Sequence, residues 1–110
     1  MIYHIAIGAE WESQANEPTY APNRYQEDGF IHCSEQHQLE TVAERNFRGR
    51  DDLLILELMP TKLDPETRYE QGGEEKFPHI YGPINKDAVN RTIEISCNDD
   101  GLFDGVFDNI

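Results

Sequence analysis

The chain has 110 residues, a length that predicts one domain with a single hydrophobic core. Its 22 acidic residues outnumber 9 basic ones and give a formal net charge of −13. A surface of that charge repels phosphate backbones and anionic lipid, so we expect no nucleic-acid and no membrane partner, although a few focused cations could hold a small anion. The chain shows no signal peptide and no apolar run long enough to cross a bilayer, which favours a cytoplasmic location.

The first forty residues predict a strand, a short helix, a loop and a second strand. In "MIYHIAI" the apolar positions recur with a period of two, which is typical of a strand. "AEWESQA" is long enough for one or two helical turns. "NEPTYAPNRYQEDG" is rich in Pro, Asn and Gly and predicts a long loop with an extended piece at 19–20, and loops of that length are often functional. "FIHC" predicts a short strand. Among the aromatic residues we expect Trp11, Phe30 and Phe47 in the core.

The centre of the chain predicts the main helix and the main strand. Ser34 is a candidate N-cap, and the apolar positions between Glu35 and Arg48 share one helical face. Gly49 stands where a C-terminal cap belongs. The near-continuous apolar run "DLLILELM" predicts the buried centre of a sheet.

The last third predicts further strands and a tail. "TRYEQ" predicts a strand closed by two glycines, and "VNRTIEISC" predicts a final alternating strand. "KFPHIYGPI" contains two prolines, so we expect only local pairing at Ile80–Tyr81, on a sheet edge. Residues 98–110 form an acidic tail after the domain of residues 1–97, and the tail's aromatic side chains either dock or stay mobile. The predicted fold is a single α+β domain with a mixed, mostly antiparallel split sheet and one main helix.

A metal site and a thiol nucleophile are the first two alternatives for "DGFIHCS". His32 and Cys33 point to opposite faces of a strand, and with His37 they match none of the usual zinc spacings, so we predict no metal site. Cys33 and Cys97 each follow an alternating apolar run, which favours buried, unreactive thiols over a disulfide or a nucleophile.

Ligand binding is the third alternative. His32 and Ser34 share a strand face beside a predicted helix N-terminus, an arrangement that suits a phosphate or pyrophosphate. His32 could equally bridge backbone groups at the strand-to-helix corner, and the residues leave both alternatives open. His79 lies in a rigid segment with two prolines, where it either contacts a ligand or satisfies a carbonyl. Glu70 is either an acid–base carboxylate or a solvated residue, and the general exposure of glutamates favours the second.

The motifs "IYHIA", "DGFIHCS" and "RYEQGGEEKFPHIYGPI" together resemble the small bacterial family known as domain of unknown function 952. The resemblance runs over residues 2–95. At fold level that family looks similar to the ADP-ribosyltransferase superfamily, which implies a split antiparallel sheet with an NAD-binding cleft. By this analogy the first strand carries Tyr3 and His4, the second carries His32 and Ser34, and Glu70 or the segment His79–Tyr81 fills the third position.

We therefore expect a module that binds a nucleotide-like ligand of the NAD or ADP-ribose type, or that catalyses a reaction of such a ligand, in a cleft lined by His32 and His79. NAD is the cofactor that this resemblance implies. We expect His32, His79 and Glu70 as catalytic residues. The expected ligand contacts are Tyr3, His4, Ser34, Tyr81, Arg48 and Arg68, with Arg24 as a further cation. The alternative is a non-enzymatic domain whose acidic face and aromatic tail recruit a basic protein. The sequence leaves the oligomeric state undetermined.

Overall fold

The structure, a computed structural model, describes all 110 residues and is built from eight strands, three α-helices and three single-turn 3-10 helices. The α-helices are α1 (Gly8–Ser13), α2 (Tyr25–Asp28) and α3 (Leu39–Asn46). The strands are β1 (Ile2–Ile7), β2 (Thr19–Tyr20), β3 (Ile31–His32), β4 (Leu53–Leu58), β5 (Glu66–Gly72), β6 (Glu75–Tyr81), β7 (Ile84–Asn85) and β8 (Val89–Ile95). No helix is both long and apolar enough to span a bilayer.

The strands form two three-stranded sheets, in the orders β1–β4–β8 and β3–β6–β5, and one two-stranded pair, β2–β7. All pairings are antiparallel, so the chain is an α+β domain with few helices, as predicted, but the expected mixture with parallel pairs is absent. The apolar run of β4 lies between β1 and β8, which confirms the prediction of a central strand. The two faces of this sheet bury separate clusters: Leu56 and Leu58 belong to one, and Leu53 and Ile55 to the other.

The prediction of an edge position for "KFPHIYGPI" is wrong. β6 is the middle strand of its sheet and pairs with β5 along its whole length, with Pro78 opposite Tyr69. The Pro78 carbonyl accepts the Cys33 N–H at 3.0 Å, so this residue directs its backbone polar groups towards the β3 side. The N–H that proline lacks would face the same side, where β3 ends at His32. A proline is therefore tolerated inside a central strand.

The main helix begins later than predicted, and Ser34 is not its cap. A 3-10 helix, Gln36–Gln38, precedes α3, and the N-cap is Glu35, which exchanges side-chain and backbone hydrogen bonds with Gln38 in a capping box. Ser34 instead forms an isolated antiparallel bridge with Tyr3: its N–H donates to the Tyr3 carbonyl at 2.7 Å and its carbonyl accepts the Tyr3 N–H at 2.9 Å. Ser34 thus connects the two three-stranded sheets.

Residues 98–110 pack against the domain, which decides between the two alternatives for the tail. The Phe103 and Phe107 rings are buried in the same cluster as Leu39 and Ala43 of α3. The Phe103 N–H donates to the Glu44 carboxylate at 3.1 Å. The acidic side chains of this segment face solvent while its aromatic side chains complete the core.

Candidate functional site

His32 and His79 lie directly opposite each other in the β3–β6 pairing. Residues opposite each other in an antiparallel pair project from the same face, so both rings stand on one side of the sheet. Their centroids are 5.3 Å apart and their planes make an angle of 69°. The two histidine motifs, which are 47 positions apart in the sequence, thus converge on a single place.

A carboxylate holds each histidine by one ring nitrogen. His79 donates through Nδ1 to Glu70 Oε1 at 2.8 Å, and His32 donates through Nε2 to Asp28 Oδ2 at 3.0 Å. An ionised carboxylate can only accept, so the ring proton of neutral His79 is on Nδ1 and that of neutral His32 is on Nε2. The other nitrogen of each ring has no hydrogen-bond partner within the chain. Each ring therefore offers one free nitrogen to a bound molecule.

Glu70 is held by two donors, although the sequence favoured a solvated glutamate. Its Oε1 accepts hydrogen bonds from the Tyr81 hydroxyl and from His79. These two hydrogen bonds lower the pKa of Glu70, and the bond to Glu70 raises the pKa of Tyr81. The Arg68 guanidinium lies 4.5 Å from the centroid of the Tyr81 ring. Arg68, Tyr81 and Glu70 together support His79 from one side.

Phe30 covers the histidine pair. The prediction that it lies in the core is wrong, since its side chain is only partly buried. Its ring stacks on His79 with a centroid distance of 4.2 Å and an angle of 23°, and it lies 4.7 Å from the His32 ring. Gly29 ends α2 in the left-handed conformation, with φ of 78°, and donates its N–H to the Tyr25 carbonyl. This turn reverses the chain after Asp28. Asp28 at the end of α2 therefore lies close to His32 on β3.

A cavity of about 510 Å³ extends from the two histidines towards α1 and the end of α3. Among the predicted site residues, His4, His32, Ser34, His79 and Arg24 line it. Other predicted residues, namely Glu70, Tyr81 and Arg68, lie behind or beside His79 and do not line the cavity. Sequence reasoning missed further lining residues: Phe30, Phe77, Phe47, Arg45 and Asp28.

The structure does not bring Tyr3 or Arg48 to this cavity. Tyr3 lies on the opposite face of β1 from His4, in the cluster that contains α3, and its hydroxyl donates to Glu57 Oε2 at 3.3 Å. Arg48 is exposed just after α3 and forms no ion pair. Arg45, three residues earlier, is the arginine of this segment that reaches the cavity.

His4 is a buried support beneath β3. Its Nδ1 lies 2.7 Å from the His32 carbonyl oxygen, and because a carbonyl only accepts, the ring proton is on Nδ1. Burial lowers the pKa of His4 to about 4, so the ring is neutral at pH 7. Its Nε2 and the buried Tyr20 hydroxyl have no hydrogen-bond partner, and the two rings are 5.9 Å apart. His4 therefore positions the strand that carries His32.

The structure shows where Cys33 and the candidate metal ligands lie. The Cys33 thiol is 3 % exposed, and burial raises its pKa, which makes it a poor nucleophile at neutral pH. Both cysteines are free. No group of three or more His, Cys, Asp or Glu side chains is arranged to hold a metal ion.

Comparison with known proteins places the chain in a family without assigning it a role. No curated protein matches it in sequence. The crystal structure of CC0527 from Caulobacter crescentus is 30% identical, covers 92% of this chain and 90% of that one, and has a TM-score of 0.83. The solution NMR structure of the same protein is 30% identical, covers 92% and 89%, and has a TM-score of 0.71. The family model "Protein of unknown function (DUF952)" matches residues 5–92, and the chain belongs to that family.

Proposed function

We propose that the cavity binds a small nucleotide-like ligand of the NAD or ADP-ribose type, with the His32–His79 pair at its centre. The observation that carries this proposal is the convergence of two carboxylate-held histidines on one cavity of about 510 Å³. A volume of that size lies within the range of about 300–1,000 Å³ that is usual for small-molecule sites.

The cavity wall offers two kinds of surface that a nucleotide needs. Phe47 and Phe77 provide aromatic area suited to a base, and Arg24 and Arg45 provide positive charge suited to phosphate. Arg24 is partly engaged by Asp28, at 3.5 Å, whereas Arg45 forms no ion pair with any residue of the chain. In a protein with a net charge of −13, such local cations are what can attract an anionic ligand.

The proposal includes an ADP-ribosyltransferase-like arrangement of the two sheets. Two separate three-stranded antiparallel sheets, joined at Ser34 and with a cleft beside the joint, support it. The His-Gly-Ser/Thr motif of that superfamily is absent, since His4 is followed by Ile5, so the ligand contacts are argued from this cavity alone.

NMR titration with ADP-ribose and with NAD tests the proposal. We expect the ring signals of His32 and His79 to shift on addition of ligand, while those of His37 stay in place, because His37 is exposed, outside the cavity and paired with Glu75. Absence of any shift at millimolar ligand would refute binding of this ligand class.

A matched pair of arginine variants tests the phosphate contact. Arg45→Gln removes a cation that lines the cavity and should weaken ADP-ribose binding about tenfold, the usual effect of losing one charge-assisted hydrogen bond. Arg48→Gln removes another exposed arginine, one that does not line the cavity, and should leave the affinity unchanged. Equal effects of the two substitutions would show that only the overall charge matters.

The alternative of a protein-interaction domain receives no support from the tail. The aromatic side chains that were expected to recruit a partner, Phe103 and Phe107, are buried in the domain's own core.

A further inference from the structure

We propose, on the basis of the proposed ligand class, that the cleft is catalytic and that His32 and His79 are an acid–base pair that hydrolyses a phosphorus–oxygen bond of the bound nucleotide.

The geometry of the two rings supports complementary roles in proton transfer. Each histidine uses one nitrogen to bond a carboxylate and leaves the other free. A free imidazole nitrogen accepts a proton when the ring is neutral and donates one when it is an imidazolium, and histidine changes between these forms near neutral pH. With ring centroids 5.3 Å apart, one bound group can reach both rings, which is what a reaction with one proton acceptor and one proton donor requires.

Two carboxylates, Asp28 and Glu70, are committed to positioning the histidine pair. Asp28 bonds His32 and Arg24, and Glu70 bonds His79 and Tyr81. Most glycoside hydrolases use a pair of carboxylates as acid and nucleophile or base. Here Asp28 and Glu70 each hold a histidine, and Glu10, the other carboxylate that lines the cavity, accepts the Asn23 N–H at 2.7 Å, so the arrangement favours displacement at phosphorus over cleavage of a glycosidic bond.

The step balances with water as the second reactant. One histidine, as neutral imidazole, takes a proton from water while the water oxygen forms a bond to phosphorus. The bond between phosphorus and the leaving oxygen breaks, its electron pair goes to that oxygen, and the other histidine, as imidazolium, protonates it. Return of a proton from the first ring to the second, through solvent, restores both rings, and the net reaction adds one water across the phosphorus–oxygen bond.

The role of Glu70 is that of a positioning residue. It fixes the tautomer of His79, so the free nitrogen is always Nε2, and it is itself fixed by the Tyr81 hydroxyl. Phe30 stacks on the face of the His79 ring and packs it in place. Asp28 has the corresponding role for His32.

The test is incubation of the full chain with two probes, followed by ³¹P NMR. ADP-ribose offers a phosphoanhydride and 2′,3′-cyclic AMP offers a phosphodiester, so the probe that is cleaved identifies the bond. We expect His79→Asn and His32→Gln each to reduce the rate at least about a hundredfold, the usual contribution of one acid–base group. Both substitutions keep a donor for the carboxylate and remove the free nitrogen together with the ring, and circular dichroism checks that the fold is retained.

His37→Gln is the matched control, because His37 also bonds a carboxylate, Glu75, but lies outside the cavity. Its rate should equal that of the unchanged chain. Glu70→Gln should lower the rate and shift the pH–rate profile by altering the His79 tautomer, whereas Glu75→Gln should do neither.

The outcomes separate this inference from the proposed function. Binding of ADP-ribose at the two histidines without cleavage of either probe would overturn catalysis and leave the binding proposal intact. Loss of binding altogether would overturn both. Cleavage that persists at full rate in His32→Gln or in His79→Asn would show that the pair is not the acid–base machinery.

Discussion

His4 makes the stability of this protein depend on pH. Its ring is 5 % exposed and its pKa in the folded chain is about 4, whereas an unburied histidine has a pKa of 6.5. As the pH falls below 6.5, the unfolded chain binds a proton at His4 and the folded chain does not, so protons favour unfolding. The contribution of His4 to the free energy of unfolding is therefore fully present above pH 6.5 and is lost as the pH falls from 6.5 to about 4. Below pH 4 this residue causes no further change.

The loss attributable to His4 should amount to about 3 kcal/mol, from the difference between the two pKa values. His4→Asn tests this, because an asparagine amide can still donate to the His32 carbonyl and cannot titrate. Urea unfolding at pH 7 and at pH 4.5 should show a smaller decrease for the variant than for the unchanged chain. Parallel decreases would show that other groups cause the pH dependence.

The hairpin of β5 and β6 presents both Glu70 and His79, and its turn fixes their register. Gly72 pairs with Glu75, which leaves a two-residue loop of Gly73 and Glu74. Gly73 has φ of 73° and Glu74 does not have a positive φ, the pattern of a type II′ turn with glycine at its first position. A residue with a Cβ is strained at that first position.

Gly73→Ala should therefore lower the free energy of unfolding by about 1–2 kcal/mol, the cost of placing an L residue at positive φ. Glu74→Ala changes the neighbouring loop position without this strain and should have little effect. Urea denaturation of the two variants measures the difference. Equal stability of both would mean that the turn relaxes to another type.

At the scale of the whole molecule, the last thirteen residues are part of the folded unit. Phe103 is fully buried and Phe107 is 6 % exposed, and both contribute to the cluster on the α3 side of the central sheet. Phe103→Ala should lower the free energy of unfolding by about 3–5 kcal/mol, the usual cost of removing a buried aromatic ring. Asp104→Asn, at an exposed neighbour, should change it by less than about 0.5 kcal/mol. A small effect of Phe103→Ala in urea denaturation would show that the tail does not contribute to the core.

Sequence patterns predicted the strands and the turn that depend only on neighbouring residues. The alternation in β1 and β8 and the continuous apolar run of β4 follow directly from which faces are buried, and the glycines marked the β5–β6 turn. The family resemblance predicted that His32 and His79 line the same cleft. Helix α2 is only four residues long and lies within a segment rich in turn residues, so no periodicity could reveal it.

The remaining features depend on tertiary geometry. Whether Pro78 can stand in a central strand depends on which neighbour its missing N–H faces, and that is a property of the sheet. The Glu70–His79 contact is diagonal across the β5–β6 ladder, because Glu70 is opposite Phe77, so only the register reveals it. The general tendency of glutamates to be exposed predicted a solvated Glu70 instead. The apolar character of Phe30 predicts a core position, but its ring is only partly buried and packs on the histidine pair.

The β3–β6 register links the assembly of the histidine pair to the folding of the chain. Ile31 and Ile80 pair on the buried face, and His32 and His79 pair on the other. A slip of one residue would exchange the two sets and expose isoleucine while burying histidine, so a folded chain with a separated histidine pair would carry a large penalty. The fraction of chains with an assembled pair therefore equals the fraction that is folded. A calibrated NMR intensity from the paired rings would then give the concentration of folded protein in any preparation.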